Sequence, residues 1–289
     1  MGFSIVTDSS CNLPREIIEQ YDLRIISLIF QSDGKQIRSY VKGETLDLAQ
    51  FYAAMRRKER ITTSSVAPQD CLDIFTAELK AGNDVLYIGF SSGLSATYQT
   101  ASSILQQLAE EYPNQRVCCV DSLAAALGEG LLVTHAARLR EQGQDIEAVT
   151  QWLMDNRLHL CHWFTVDDLF FLHRGGRVSK AAAIVGSMVG IKPVLHVDDE
   201  GHLIMMSKVR GRRASLDMLV EKMAQTAIDP AQQTVYIVHG DCEADAQYVR
   251  DRVAARFGTK DILISCLEPV IGCHSGPGTI ALFYLGTQR

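Results

Sequence analysis

Hydroxyl-rich turns follow three apolar runs of this 289-residue chain. The turns are Thr7-Asp8-Ser9-Ser10, Ser91-Ser92-Gly93-Leu94-Ser95-Ala96-Thr97 and Asp121-Ser122. Each turn lies where an apolar run ends and a helical pattern begins, which is typical of a parallel strand in a βα unit. Ligands of open α/β sheets bind outside the carboxyl ends of the strands, so these hydroxyls should converge with helix-start N–H groups. Neutral donors of this kind suit a small oxyanion.

Three further segments carry groups that could bind an anion or a partner. One is the Gly-rich stretch Gly272-Cys273-His274-Ser275-Gly276-Pro277-Gly278-Thr279, and two are the basic clusters His173 to Lys180 and Lys208 to Arg213. Basic runs are usually solvated faces, but these two could also meet an acidic partner or a phosphate. The chain has no G-x-x-x-x-G-K-[ST] phosphate loop and no dinucleotide fingerprint. A nucleotide site within this chain is therefore not expected.

A serine hydrolase is the enzymatic alternative. Gly89-Phe90-Ser91-Ser92-Gly93 matches G-x-S-x-G between a predicted strand and a predicted helix, as a nucleophile elbow does. Ser91 would be the nucleophile, and His239 or His274 the base. The simpler interpretation is a Gly/Ser turn that starts a helix, because no HGGG-like oxyanion segment precedes the motif.

Other chemistry-bearing residues have simpler interpretations. Asp8 and Asp121 could be catalytic at their strand ends, but Asp also caps helices there. His159, Cys161 and His162 could bind a metal, yet the first two share one strand face and His162 lies on the other. Since no second ligand pair has zinc spacing, packing is the expected role and no metal site is predicted.

Composition limits the classes of function. Hydrophobic residues make up 47% of the chain, which is typical of a globular protein. The net charge of −6 makes nucleic acid an unfavoured partner, so a nucleic-acid regulator, supported only by the basic clusters, is a third class. The eight scattered cysteines contain no C-x-x-C pair and indicate reduced thiols and a cytoplasmic location. Neither a signal peptide nor a bilayer-spanning segment is expected.

Alternating strand and helix patterns predict an α/β fold with two domains, residues 1–160 and 161–289. Residues 23–30 are predicted to form one strand and residues 46–57 an amphipathic helix of the first domain. A hairpin is predicted around Asp198-Asp199-Glu200-Gly201. The small-residue segment 181–191, which includes Ala182 and Gly186, is either a helix–helix contact or a wall of a narrow apolar cavity.

Taken in order, the motifs resemble the DegV family of bacterial fatty-acid-binding proteins along nearly the whole chain. They are Thr7-Asp8-Ser9, Thr63-Ser64, Ser92-Gly93-Leu94-Ser95-Ala96-Thr97-Tyr98, Asp121-Ser122, Arg174-Gly175-Gly176-Arg177-Val178-Ser179, Lys192-Pro193 and the stretch Gly272 to Thr279. The resemblance implies two α/β domains with one long-chain fatty acid in a tunnel between them. It also implies that the first domain carries the carboxylate-binding loops and that the second covers the acyl chain.

The resemblance also assigns roles to residues. Thr63 and Ser95 would hold the fatty-acid carboxylate, together with Ser64, Ser92 and His274. Arg177, which corresponds to the arginine of the family's Gly-Gly-Arg motif, would contact a partner or a phosphate, and Arg210 of the second basic cluster is expected to do the same. This chain has Thr63-Ser64-Ser65-Val66 where the family commonly reads Thr-Ser-Gln-Pro, and Ser95-Ala96-Thr97 where it reads Ser-Gly-Thr.

The function expected from the resemblance is that of a lipid carrier, not an enzyme in its own right. Family members can present the acyl carboxylate to a separate fatty acid kinase and carry the acyl phosphate. The expected ligand is the fatty acid with no further cofactor, and transient contact with a membrane surface is possible. Burial of some fifteen methylenes would contribute roughly 12 kcal/mol before ordering and association costs, so the tail can supply most of the affinity.

Overall fold

The computed structural model describes residues 2–179 and 190–289, which divide into two compact units. The first unit comprises Met1–Leu46 and Thr62–Arg157, and the second comprises Asp47–Ile61 and Leu158–Arg289. Residues 47–61 fall in the first domain predicted from the sequence, whereas the structure groups them with the second unit. The small-residue segment with Ala182 and Gly186 lies outside the described residues, so its role stays a prediction.

Helices and strands occur in both parts of the chain that the structure describes. The helices are α1 (Arg15–Gln20), α2 (Leu48–Arg56), α3 (Pro68–Lys80), α4 (Thr97–Glu111), α5 (Leu127–Glu141), α6 (Ile146–Asn156), α7 (Phe170–Arg174), α8 (Arg212–Thr226), α9 (Glu243–Phe257) and α10 (Pro269–Ser275). The strands are β1 (Phe3–Asp8), β2 (Arg24–Ile26), β3 (Ile29–Ser32), β4 (Lys35–Arg38), β5 (Thr62–Ser64), β6 (Asp84–Gly89), β7 (Val117–Asp121), β8 (Leu160–Thr165), β9 (Ile191–Val197), β10 (Leu203–Arg210), β11 (Val235–His239), β12 (Ile262–Cys266) and β13 (Ile280–Leu285). The α/β class is therefore confirmed.

The first unit is built on a parallel sheet of strand order β2-β1-β6-β7. Strand β1 is buried along its whole length, and β6 is buried after its first residue, as expected when helices cover both faces of a parallel sheet. The carboxyl ends of β1, β6 and β7 consequently lie at one edge of the sheet. All three hydroxyl-rich turns begin at this edge.

The single strand predicted over residues 23–30 is wrong. Strand β2 ends at Ile26 in the parallel sheet, and β3 begins at Ile29 in a separate antiparallel sheet of order β4-β3-β5. The break falls at Ser27, whose Oγ accepts the Tyr40 N–H at 3.1 Å. A continuous apolar run cannot reveal such a break, because both halves are apolar and extended.

The second unit contains a six-stranded sheet of order β10-β9-β8-β13-β11-β12, in which only β11 and β12 pair in parallel. Antiparallel pairing of β9 with β10 confirms the predicted hairpin. Helix α2 belongs to this unit because Tyr52 is fully buried and its hydroxyl donates to the Leu267 carbonyl at 3.1 Å. Gly272 allows α10 to approach, since a Cβ there would overlap the Tyr52 hydroxyl.

No helix within residues 2–179 and 190–289 is both long enough and apolar enough to cross a bilayer.

Candidate functional site

The turn after β6 is held by backbone hydrogen bonds. The Ser91 N–H donates to the Ala124 carbonyl at 2.9 Å, and the Ser91 carbonyl accepts the N–H groups of Leu94 and Ser95 at 3.0 and 3.1 Å. The Ser91 Oγ accepts the Gly93 N–H at 3.2 Å, and the residue is 0% exposed. This serine therefore stabilises the turn from inside and does not present an exposed nucleophile, as an elbow would.

Ser95 and Ser92 offer their hydroxyls differently. Ser95 is half-buried, and its Oγ lies 2.9 Å from the Thr97 Oγ1 and accepts the Thr97 N–H at 3.2 Å. Helix α4 begins there with Ala96 as an N-cap residue that supplies no side-chain hydrogen bond. Ser92 is exposed, and its N–H donates to Asp121 Oδ1 at 3.2 Å. Asp121 thus joins two of the hydroxyl-rich turns.

The turn after β7 contains backbone strain. Leu123 and Ala126 both have positive φ, 50° and 54°, although neither is glycine. Such conformations persist only where surrounding contacts enforce them. Here the Leu123 N–H donates to Asp121 Oδ1 at 3.0 Å, and Ala124, between the two strained residues, accepts the Ser91 N–H. The turns after β6 and β7 therefore brace each other.

Thr63 and Ser64 lie on β5, the short outer strand of the antiparallel sheet. Thr63 pairs with Phe30 and is half-buried, whereas Ser64 pairs with Ile29 and is exposed. Successive side chains of a strand point to opposite faces, so only one of the two can face a given head group. Because it is the half-buried member, Thr63 is the better candidate to hold a buried carboxylate.

His274, Gly175 and Arg177 lie together in the second unit. His274 lies in the last turn of α10, so the Gly-rich stretch is helical at this residue. Its ring packs on Gly175 so closely that a Cβ at residue 175 would overlap the imidazole Nδ1. The Arg177 guanidinium donates to the Gly175 carbonyl. Gly175 thus contacts both Arg177, through its carbonyl, and the His274 ring.

Burial controls the charges of these two side chains. The pKa of His274 is lowered from 6.5 to about 4, first by burial and then by the positive charges of Arg177 and Arg174. Burial likewise lowers the pKa of Arg177. At neutral pH the imidazole is therefore uncharged and has one nitrogen that donates and one that accepts a hydrogen bond. The positive charge of the group comes from the arginines.

The second basic cluster divides into exposed and paired members. Arg210 is exposed at the end of β10, opposite Ile191. Arg212 is committed to carboxylates, since its Nε lies 2.8 Å from Asp245 and its Nη1 lies 3.7 Å from Asp167. Lys192 also pairs with Asp167, at 2.7 Å. Asp167 follows β8 closely and has no motif around it, so the sequence does not mark it as a site residue.

The residues considered for a metal serve packing. His159 Nδ1 lies 3.0 Å from the Gly286 carbonyl, the Cys161 thiol donates to Gln288 O at 3.2 Å, and the His162 ring packs on Phe283. Among residues 2–179 and 190–289, no group of three or more His, Cys, Asp or Glu side chains is arranged to hold a metal ion.

Glu129 is a buried acidic residue that contacts the turn after β1 and was not predicted from the sequence. It lies on α5, is 0% exposed, and accepts hydrogen bonds from Thr7 Oγ1 at 2.8 Å and Ser10 Oγ at 2.6 Å. It therefore reaches the turn after β1. Its sequence signal is a lone acidic residue inside the otherwise apolar run 123–133, where a charge needs buried partners.

A family model described as an uncharacterised protein of the DegV family matches residues 2–287. The chain belongs to the DegV family. A DegV domain-containing protein of Clostridium perfringens is 38% identical over 287 residues, covering 99% of this chain and 98% of the relative. The family resemblance of the ordered motifs is thus confirmed.

Solved DegV-family structures share the whole fold. A Thermus thermophilus DegV-family protein described as binding fatty acid has a TM-score of 0.86 and 29% identity, covering 99% of this chain and 100% of its own. DegV from Bacillus subtilis, described as a fatty acid binding protein, has a TM-score of 0.84 and 27% identity, with 99% and 100% coverage. The α/β fold with two domains is therefore common to this chain and to both relatives.

Proposed function

We propose that this DegV-family protein binds one long-chain fatty acid and presents its carboxylate to a separate fatty acid kinase, carrying the acyl phosphate. The observation that carries the proposal is the half-buried Ser95 hydroxyl at the start of α4, where the N-cap residue Ala96 supplies no side-chain hydrogen bond. A helix N-terminus and neutral hydroxyls stabilise a carboxylate without an arginine clamp. Fatty-acid binding by the Thermus and Bacillus relatives supports this ligand class.

Thr63 and Ser95 hold the carboxylate in this proposal, with Ser92 as a neighbouring donor, whereas Ser64 points to the opposite face of β5 from Thr63. Neutral donors orient the head group but leave its oxygens less strongly engaged than a bidentate arginine would. The carboxylate can then attack a phosphoryl donor. The acyl chain supplies most of the affinity through burial of its methylenes.

His274, Arg177 and Arg210 contribute to transfer in this proposal. A neutral His274 can hydrogen-bond to the head group, and the positive Arg177 and Arg210 can steady the new phosphate or dock an acidic kinase surface. The kinase is a separate protein, because the sequence has no phosphate loop. The protein acts in the cytoplasm, with transient membrane contact when it exchanges lipid, and has no nucleic-acid partner.

Mass spectrometry of an organic extract of the purified protein tests ligand binding directly. We expect one long-chain fatty acid per chain. A protein that carries no lipid and takes up none from fatty-acid micelles would contradict the proposal. If such a protein hydrolysed an ester and lost this activity in Ser91→Ala, the hydrolase alternative would replace it.

The transfer step is tested with a bacterial fatty acid kinase and labelled ATP. We expect the bound fatty acid to be converted to its acyl phosphate only when the kinase is present. His274→Ala and Arg177→Ala should retain lipid, because the tail dominates affinity, yet accept phosphate slowly. ATP consumption by the isolated wild type would overturn the carrier role, and full transfer by both variants would overturn the roles of these residues.

A further inference from the structure

Two buried carboxyl groups share one serine hydroxyl beneath the hydroxyl-rich turns. The Ser10 Oγ lies 2.6 Å from Asp8 Oδ1 and 2.6 Å from Glu129 Oε2. Both acidic residues are 0% exposed, and no ion pair involves either one within the described chain. Burial of two acidic groups beside one hydroxyl, with no cation to balance them, requires a specific arrangement of protons.

The Ser10 hydroxyl has one hydrogen and can donate to only one of the two carboxyl oxygens. If both groups were ionised, the other contact would set two lone pairs against each other at 2.6 Å. The contacts are satisfied when one carboxyl group is protonated and donates to Ser10 Oγ, while Ser10 donates to the other. The arrangement therefore needs one more proton than two ionised carboxylates would carry.

The hydrogen-bond partners identify which group is ionised. Asp8 accepts three further hydrogen bonds, from Ser10 N at 3.1 Å, Phe90 N at 3.0 Å and the Tyr87 hydroxyl at 3.3 Å. Glu129 has only Thr7 as another donor within the described residues. Several donors stabilise an anion, so Asp8 is the carboxylate and Glu129 is the acid.

The pKa directions agree with this order. Burial raises the pKa of Glu129 well above its usual 4.5, and the Asp8 charge raises it further. Burial also raises the pKa of Asp8, but its hydrogen bonds to Ser10, Phe90 and Tyr87 oppose the rise. The other titratable groups that bear on the pair are Tyr87, Cys71 of α3 and Asp121 of β7.

We propose that Asp8 and Glu129 are positioning residues that share one proton through Ser10 and fix the turn that presents Ser92 and Ser95. Asp8 Oδ2 accepts the N–H of Phe90, the residue directly before this turn, and Glu129 holds Ser10 and Thr7 from α5. The proton keeps the buried pair at a single negative charge, and so limits its desolvation cost. This inference rests on the proposed function only where ligand binding is the readout.

Three substitutions distinguish a one-proton pair from two ionised carboxylates. The side-chain amide introduced by Glu129→Gln can donate to Ser10 and accept from Thr7, as the protonated acid does, so this variant should keep lipid retention within about threefold of wild type. Glu129→Ala removes the carboxyl group that accepts from Thr7 and leaves Ser10 with Asp8 as its side-chain partner, so it should weaken retention about tenfold or more. In Asp8→Asn, the new amide N–H would face groups that already donate to Asp8. This variant should weaken lipid retention at least as much as Glu129→Ala. Equal losses in Glu129→Gln and Asp8→Asn would overturn the proposal.

Infrared spectroscopy tests the proton without any ligand and on the wild-type fold. We expect the C=O stretching band of a protonated carboxylic acid at neutral pH, shifted by 13C-labelled glutamate and absent from Glu129→Gln. Absence of this band from the wild type overturns the proposal even if lipid binds. Its presence in a protein that binds no fatty acid would instead contradict the proposed function and leave the proton pair established.

Discussion

Individual hydroxyl groups of the candidate site differ in how deeply they are buried. Ser91 is 0% exposed inside its turn, whereas Ser95 and Thr63 are half-buried at positions that suit a partly desolvated anion. Hydrogen bonds to charged groups contribute more to binding than neutral ones do. The residue type alone therefore does not rank these candidates, but burial does.

Removal of either carboxylate donor should weaken fatty-acid binding. We expect Thr63→Ala and Ser95→Ala each to cost about 1.5–3 kcal/mol, because each removes a donor to a charged group. Thr62→Ala is the matched control, since Thr62 is the adjacent threonine on the opposite face of β5 and is exposed. Displacement of a fluorescent fatty acid measures the change, and wild-type affinity in both variants would remove these residues from the site.

Among the elements, α10 is held in place by contacts that only glycine permits. Gly272 admits the Tyr52 hydroxyl of α2, and Gly175 admits the His274 ring. Gly175 has φ of −75° and ψ of −9°, which alanine adopts readily, so the close approach of the ring is what requires glycine there. The glycines of the family motif thus have packing reasons in this chain.

A double-mutant cycle tests this contact. Gly175→Ala should destabilise the protein by about 1–3 kcal/mol, because the new methyl group overlaps the imidazole. The same substitution in a His274→Ala background should be nearly neutral, since the overlapping ring is gone. Gly2→Ala is a suitable control because a Cβ there meets nothing within 4 Å. Denaturant unfolding of the variants measures the coupling, and additive effects would argue against the contact.

Elements with strong periodicity and clear flanks could be predicted from the sequence. The hairpin of β9 and β10 and the hydroxyl-rich turns are as expected, because each depends on local pattern. The break at Ser27 and the antiparallel sheet with β5 could not be predicted, since pairing of short strands depends on distant partners.

The candidate site was predictable only in part for a similar reason. Ser92 and Ser95 lie in a turn that the sequence marks clearly with Gly and Ser. Glu129 contacts the turn after β1 although it lies 122 positions from Thr7 in the sequence. No local motif connects two residues so far apart. His274 lies in the Gly-rich stretch, but the preceding Pro269 and the Glu268 side chain start a short helix that includes it.

For the whole molecule, buried neutral histidines should make the free energy of unfolding depend on pH in the acidic range. Burial lowers the pKa of His196 from 6.5 to about 4, and that of His274 likewise to about 4. The unfolded chain therefore binds more protons than the folded chain within this window. The stability contributed by each neutral histidine is fully present above pH 6.5 and is lost as the pH falls towards 4.

His196 allows a quantitative test because it is only 5% exposed. Its full contribution is of the order of 3 kcal/mol. His196→Asn keeps a donor for the His162 carbonyl, which lies 3.1 Å from the His196 ring nitrogen, but cannot titrate. We expect the variant to lose less unfolding free energy than wild type between pH 6.5 and 4, measured by urea unfolding. Parallel pH profiles for the two proteins would contradict this assignment.

Helix α2 is synthesised long before the part of the chain that it contacts in the second unit. Tyr52 leaves the ribosome 215 residues before its partner Leu267, so the second unit cannot be complete until synthesis has nearly finished. Until then, the apolar face of α2 with Phe51, Tyr52 and Met55 has no core to enter. A cut of the chain between Arg157 and Leu158 consequently yields one whole unit and one that lacks a helix.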